Sequence, residues 1–168
     1  NLNSRDNIIH ATSQCDIYES TFIKNPTNTI LYCTLTSHVV HNNISYNELY
    51  NNQEYMCVIP AKEGENNIFQ YNTFAHNYKG KRLFYFTRYI SCSLKESAFF
   101  NNSLTDAIVF IGEPSDSTKS TFIIINCAFA QNIFFNTSQS LEIFTSISYQ
   151  SKITVQNCIL DSNLPRYA

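Results

Sequence analysis

The amino-acid sequence predicts an all-β protein, a single-stranded right-handed parallel β-helix (solenoid) of about six coils with roughly 25 to 31 residues in each coil. Three observations lead to this prediction. A short phrase recurs at that spacing, the phrase contains alternating apolar residues, and the composition suits stacked strands. The handedness follows general precedent for the fold.

The recurring phrase is a large apolar residue followed three places later by asparagine, and it occurs six times. The apolar anchors are Phe22, Leu49, Phe74, Phe99, Phe129 and Leu160, and the asparagines are Asn25, Asn52, Asn77, Asn102, Asn132 and Asn163. The residue five places before each anchor is apolar, and the residue two places before it is Ser, Asn or Cys. Aligned columns of this kind indicate a repeat in which equivalent residues stack.

The phrase has the period of a strand. Phe122 and Ile124 alternate with their neighbours, as do Ile153 and Val155. The alternation breaks between the residues five and two places before the anchor. This break requires a bend at Asn126 or Asn157, and asparagine tolerates the left-handed backbone that a tight bend needs. The apolar stripe of a helical repeat is absent. Each repeat therefore supplies short strands joined by turns, and equivalent strands stack about 4.8 Å apart.

The composition agrees with stacked strands. Charged residues are 14% of the chain, against about 25% in an ordinary domain, whereas the chain contains 21 asparagines. Columns of asparagine can pass amide hydrogen bonds from one coil to the next. The net charge of -2 argues against nucleic acid as a partner, and no apolar run is long enough for a transmembrane segment. We expect one β-helix domain over residues 1–168 that belongs to a longer solenoid, since neither terminal coil shows a cap.

The six cysteines do not have the spacing of a zinc site. Cys127 and Cys158 fall in one column of neighbouring coils, where we expect stacked free thiols, although a disulfide is the alternative. Cys33 and Cys57 fall in adjacent repeats and could also form a bridge. His38 and His41 do not converge on a metal in a strand or turn. We expect no metal and no cofactor.

Three sequons, at Asn43, Asn101 and Asn136, are candidate N-glycosylation sites and favour an extracellular or cell-surface location. A candidate ligand-binding strip lies three places before the anchors, where Glu19, Tyr46, Tyr71 and Glu96 share one column. If this column faces outward, the tyrosine rings can stack on sugars. Ordinary turn residues without a ligand are the alternative.

The phrase resembles the FxxN repeat of chlamydial polymorphic outer-membrane proteins and of related β-helix surface proteins. The resemblance covers residues 15–163 and is closest at Phe122 to Asn132 and Ile153 to Asn163. The glycine-rich phrase of that family is missing, because the chain has only 3 glycines. The resemblance implies an adhesion or scaffold role at a cell surface and supplies no catalytic residues.

Three functions are therefore open. The leading hypothesis is a non-enzymatic elongated scaffold or adhesin-like module whose partner is a protein or a glycan at a surface. The second is a rigid structural component that contacts neighbouring chains in a large assembly. This function would place the protein inside the cell, as the alternative to a surface location. A carbohydrate-active, pectate-lyase-like β-helix enzyme is the third. Catalysis is disfavoured because Glu19 and Glu96 stand three coils apart, about 14 Å, which exceeds the spacing of a glycosidase pair.

Overall fold

The computed structural model describes residues 7–27, 29–34, 36–49, 55–59, 66–86, 91–111, 120–135, 143–146 and 152–165. Every regular element in these ranges is a β-strand, and the pairs between strands are parallel. The strands form three sheets that run the length of the molecule, so the chain is a parallel β-solenoid. The predicted fold class is confirmed.

Two of the sheets contain one strand from each of six coils. With strands numbered in chain order, the second sheet comprises β2 (Cys15–Tyr18), β6 (Ser37–Val40), β10 (Asn66–Gln70), β13 (Ser91–Lys95), β16 (Thr121–Ile125) and β20 (Lys152–Gln156). The third sheet comprises β3 (Thr21–Ile23), β7 (Asn43–Ser45), β11 (Thr73–Ala75), β14 (Ala98–Phe100), β17 (Ala128–Ala130) and β21 (Ile159–Asp161).

The first sheet is less regular and has ten strands. They are β1 (Asn7–Ala11), β4 (Pro26–Thr27), β5 (Thr29–Cys33), β8 (Glu48–Leu49), β9 (Tyr55–Ile59), β12 (Tyr78–Phe86), β15 (Ser103–Ile111), β18 (Ile133–Phe134), β19 (Phe144–Ser146) and β22 (Leu164–Pro165). The pairing of β12 with β15 shifts register around Gly80. A Cβ on Gly80 would lie 2.6 Å from the side chain of Leu49, so any larger residue here would require the Leu49 side chain to shift.

The predicted register is wrong in the second coil. Phe22 pairs with Ile44, and Ile44 pairs with Phe74, so the anchor of that coil is Ile44 and not Leu49. The corresponding ladder asparagine is Asn47, while Asn52 lies outside the described residues. Leu49 is fully buried, but in the first sheet. Successive ladder asparagines are therefore 22, 30, 25, 30 and 31 positions apart, so the coils are less equal in length than predicted.

Apolar columns fill the interior between the three sheets. The anchor rings stack almost in parallel, with centroids 5.1 Å apart for Phe74 and Phe99 and 4.7 Å apart for Phe99 and Phe129. These three rings are 0% exposed, and Phe84 packs edge-on against Phe74. Burial of such large side chains is the main favourable contribution to folding.

Two ladders of mostly buried side chains, chiefly asparagines, line the turns on either side of the third sheet. The inner ladder, two residues before each anchor, is Ser20, Asn42, Asn72, Ser97, Cys127 and Cys158. The outer ladder, three residues after each anchor, is Asn25, Asn47, Asn77, Asn102, Asn132 and Asn163. In the outer ladder each asparagine donates its backbone N–H and its side-chain amide to Oδ1 of the next asparagine, at 2.8–3.1 Å.

The inward position of the anchor column can be tested with Phe74→Ala. We expect a loss of about 3–5 kcal/mol in the free energy of unfolding, because a fully buried ring is removed and a cavity remains. The matched control is Phe100→Ala in the next coil, where the ring points outward from the same sheet and about 1 kcal/mol or less should be lost. Denaturant unfolding measures both values. A similar loss for the two variants would contradict the inward column.

Candidate ligand-binding groove

Each coil makes two sharp bends around the third sheet, and both bends use the left-handed backbone region. The first-bend column, directly before the inner ladder, is Glu19, His41, Tyr71, Glu96, Asn126 and Asn157. The second-bend column, directly before the outer ladder, is Lys24, Tyr46, His76, Asn101, Gln131 and Ser162. All twelve have φ between 47° and 58°. This region costs a non-glycine residue roughly 1–2 kcal/mol, so it must be stabilised by its surroundings.

Backbone hydrogen bonds between coils hold these bends in place. The N–H of Tyr71 donates to the carbonyl of Lys95 at 3.2 Å, and the N–H of His76 donates to the carbonyl of Phe100 at 3.1 Å. The same pair of bonds recurs from coil to coil. The left-handed backbone directs the side chains of both columns outward, where they form two parallel walls beside the third sheet.

Between the walls lies the outer face of the third sheet, whose side chains are mostly small. In the third to fifth coils this floor includes Thr73, Ala98 and Ala128, which precede the inward anchors. Together with Tyr71, Glu96 and Asn126 of the first-bend column they border a groove of about 440 Å³. This groove is a shallow, open depression with one polar wall and a floor of small side chains.

The predicted strip of four residues is divided between the two walls. Glu19, Tyr71 and Glu96 lie in the first-bend column as predicted, but Tyr46 lies in the second-bend column. The reason is the register of the second coil, where His41 occupies the place that was assigned to Tyr46. Tyr46 instead borders a second depression of about 400 Å³, together with Lys24 and Glu48.

The exposed rings stack on each other along the solenoid axis. His41 lies 4.6 Å from Tyr71 with an angle of 15° between the planes, and Tyr46 lies 4.6 Å from His76 with an angle of 10°. One face of each ring is therefore already covered by its neighbour in the next coil. The walls present ring edges and hydroxyl groups more than free ring faces, which weakens the interpretation of these tyrosines as platforms for sugar stacking.

Glu96 is the centre of a hydrogen-bonded network on the groove wall. Nε2 of Gln70 donates to its carboxylate at 2.9 Å, and Tyr71 and Asn126 also donate to it. The hydrogen bond from Gln70, followed by that from Tyr71, lowers the pKa of Glu96. The same carboxylate raises the pKa of Tyr71, chiefly through their hydrogen bond and then through its charge. This wall is a hydrogen-bonding surface with a fixed negative charge.

Other ionisable groups are engaged in pairs away from the groove. His38 contacts Asp16 at 3.0 Å, Lys79 pairs with Glu48, and Arg82 pairs with Asp106. Within the described ranges, no three His, Cys, Asp or Glu side chains come together in a way that could hold a metal ion. Glu19 and Glu96 lie three coils apart, at opposite ends of the run that also contains His41 and Tyr71.

The candidate glycosylation sites have different surroundings. Asn43 starts β7 on the groove floor, is exposed, and accepts a hydrogen bond from the hydroxyl of Ser45 in its own sequon. Asn101 is exposed at the second bend of the fourth coil, with φ 51°. Asn136 lies outside the described residues. Of the two described asparagines, Asn101 projects from a turn, where a glycan would contact little of the protein.

None of the six cysteines is in a disulfide bond; five are buried and Cys158 is partly buried. Cys33 and Cys57 are not bridged. Cys57 pairs with Leu31 in the neighbouring strand, so the two cysteines are offset in register. Cys127 and Cys158 stand at equivalent positions of adjacent coils, as predicted.

Comparisons with protein-family models, with curated proteins and with solved structures find no match to this chain. The fold and the surface define a class, a parallel β-solenoid protein with an asparagine ladder. Within the described part of the chain, no helix is long and apolar enough to cross a membrane.

The coupling between Tyr71 and Glu96 is testable by Glu96→Gln. Removal of the carboxylate charge should lower the pKa of Tyr71 toward the ordinary tyrosine value of about 10. Ring-carbon NMR titration of labelled tyrosine measures the change. Glu19→Gln is the matched control, because Glu19 is two coils from Tyr71 and should leave its pKa unchanged. An unchanged Tyr71 pKa in Glu96→Gln would show that the pair does not interact.

The lowered pKa of Glu96 determines how its contribution to stability depends on pH. The unfolded carboxyl binds a proton more readily than the folded one, so the contribution of Glu96 to stability is present above the unfolded pKa of about 4.3. It is lost as the pH falls through the lower folded pKa.

Proposed function

We propose that this protein is a non-enzymatic scaffold or adhesin-like module that binds a partner along the third sheet. The observation that supports this proposal most directly is the groove of about 440 Å³ bordered by Tyr71, Glu96 and Asn126. Its walls are held by hydrogen bonds between coils, so the binding surface exists before a partner arrives. A preformed surface binds without the entropy loss of ordering a loop.

The wall chemistry favours a partner rich in hydrogen-bonding groups. Glu96 offers a carboxylate, Asn126 an amide and Tyr71 a phenol ring. The side chains of the floor are small, which leaves room above them for a chain of hydroxylated units. A glycan at a surface fits these groups, through hydrogen bonds more than through ring stacking. The FxxN phrase and the exposed sequon at Asn101 favour the same surface role, as a finer hypothesis within the β-solenoid class.

A second candidate is a rigid component of a large assembly. None of the six cysteines is in a disulfide bond, which fits a reducing environment inside a cell.

Catalysis is the least favoured of the three functions. The carboxylates Asp16, Glu48 and Asp106 contact basic partners, and Glu96 accepts hydrogen bonds from three neighbours. The lowered pKa of Glu96 keeps it ionised at neutral pH, which suits an acceptor and opposes a general acid.

The binding proposal is tested by filling the groove. Ala98→Arg places a long side chain on the floor without touching the core, and should weaken binding to a panel of immobilised glycans by about tenfold or more. The matched control is Ser93→Arg, a half-buried position in the same coil on the second sheet, which should retain binding. Surface plasmon resonance gives both affinities. Equal loss in both variants, or no binding by the unmodified protein, would oppose the groove as the binding site.

The location is tested separately by intact-mass spectrometry of the native protein before and after glycosidase. The surface proposal expects a glycan at Asn101, since this side chain projects from a turn. Asn101→Gln should remove that mass increment, whereas Asn66→Gln, an exposed asparagine outside any sequon, should not. Unglycosylated sequons together with six thiols outside disulfide bonds would favour the assembly component over the surface module.

A further inference from the structure

Among the described residues that border the groove beside the third sheet, the charged one is Glu96. The groups around its carboxylate are the phenol of Tyr71, the amide of Asn126 and the small side chains of the floor, all neutral at pH 7. The groove lies in the third to fifth coils, with described coils stacked on both sides of it. One negative charge in a depression of about 440 Å³ favours a ligand that carries a positive charge.

The protein does not neutralise the charge of Glu96 with a cation of its own. Three of the six carboxylate side chains that the structure describes contact a basic side chain, and these are Asp16, Glu48 and Asp106. Glu96 forms no ion pair with a described residue, although Lys95 precedes it in the chain. Glu19 and Asp161 are also outside ion pairs with described residues, but neither borders the groove. The unpaired carboxylate of the groove is therefore Glu96.

The carboxylate of Glu96 is held in place by a neutral donor. Nε2 of Gln70 donates to Oε2 of Glu96 at 2.9 Å, and the left-handed bend at Glu96, with φ 47°, directs its side chain outward. An ionised carboxylate accepts about four hydrogen bonds, so an amide donor orients the group without removing its charge. The groove thus presents a fixed, charged acceptor to a ligand.

We infer that the groove binds oligosaccharides that carry a free amino group more tightly than neutral oligosaccharides, with the ammonium group of the sugar donating to the carboxylate of Glu96. A hydrogen bond between an ammonium group and a carboxylate is stronger than one between neutral groups. Exchange of one sugar hydroxyl for an ammonium group therefore adds affinity at this position, while the remaining hydroxyls bind Tyr71 and Asn126. Because it names the ligand class of the same groove, this preference rests on the proposed function.

A lysine-rich protein segment is the competing ligand for this carboxylate. The wall residues Tyr71, Glu96 and Asn126 recur once in each coil, about 4.8 Å apart along the solenoid. The side chains on one face of an extended peptide recur roughly every 6.8 Å, which is two residues at about 3.4 Å each, and do not match this spacing. A sugar chain carries hydroxyl groups on every unit, so each coil of the wall can meet a polar group of the ligand.

Matched tetramers of β-linked glucosamine and β-linked glucose test the preference, because they differ by an amino group in place of one hydroxyl on each unit. The measurement is made at about pH 6, where the amino groups are protonated and Glu96 is ionised. Surface plasmon resonance at low salt should give a higher affinity for the glucosamine tetramer, by roughly threefold to tenfold. The difference should shrink as salt is added, since an exposed charge pair is screened.

Two variants separate the carboxylate of the groove from the overall charge of the protein. Glu96→Gln should bring the affinities for the two tetramers together, and unchanged circular dichroism would show that its fold is intact. Asp16→Asn is the matched control, because it removes the same charge from the second sheet, outside the groove. This control should keep the preference for the glucosamine tetramer.

The outcomes distinguish the preference from the proposed function. Equal affinities of the unmodified protein for the two tetramers, or a preference that survives in Glu96→Gln, would overturn the inference and leave a neutral glycan as the ligand. Tetralysine that binds more tightly than the glucosamine tetramer, and that depends on Glu96, would overturn it in favour of a basic protein segment. Binding of neither sugar tetramer would contradict the proposed function and the preference together.

Discussion

The hydrogen bond from each buried asparagine of the outer ladder to the asparagine of the next coil is the constraint on which the rest of the structure depends. Asn77, Asn102 and Asn132 are 0% exposed, so an amide left without a partner would carry the full cost of desolvation, about 1–3 kcal/mol. Each amide avoids this cost only if the coils stack in one register. Asn102, for example, donates to Oδ1 of Asn132 and to the carbonyl of Phe74. The ladder therefore fixes the register as well as the turn.

The register in turn places the residues that face solvent. Because every ladder residue follows a left-handed bend, the residue before it must project outward whatever its type. The column accordingly accepts Glu, His, Tyr and Asn at equivalent positions. The fold is specified by the buried ladder and the anchor column, and the bend columns are left free to vary. A binding surface on this protein can change its chemistry without changing its backbone.

The sequence predicted the parts of the fold that repeat with distinctive residues. Phe74, Phe99 and Phe129, each followed three places later by asparagine, are unmistakable, and their columns are confirmed. The predicted register was wrong in the second coil because this coil contains two competing phrases, Ile44 with Asn47 and Leu49 with Asn52. The choice of Leu49 assumed nearly equal coil lengths, but the first coil is the shortest of those that the ladder joins. The residue two places before the anchor did not decide between them, because Asn42 before Ile44 and Asn47 before Leu49 both match the polar inner ladder.

The candidate site was less predictable than the core for a physical reason. Which bend column a residue joins depends on its register, so one misplaced anchor moved Tyr46 to the opposite wall. The covering of ring faces depends on neighbours in the next coil, and no spacing within one coil shows that His41 lies 4.6 Å from Tyr71. Core residues are constrained by burial and leave a pattern in the sequence. Exposed bend residues are constrained by little and leave almost none.

The inner ladder changes chemistry along the axis, and this change bears on where the molecule is rigid. Asn42 donates its backbone N–H and its side-chain amide to Oδ1 of Asn72, and Asn72 donates its backbone N–H to the hydroxyl of Ser97. The next rungs are Cys127 and Cys158, and sulfur is a weak acceptor. The bonds between coils thus weaken from amide to hydroxyl to thiol toward the sixth coil, where the apolar residues are also most exposed. The groove wall formed by Tyr71, Glu96 and Asn126 lies in the third to fifth coils. The wall therefore lies where the inner ladder passes from amide to hydroxyl to thiol, so its end at Tyr71 is held by stronger bonds between coils than its end at Asn126.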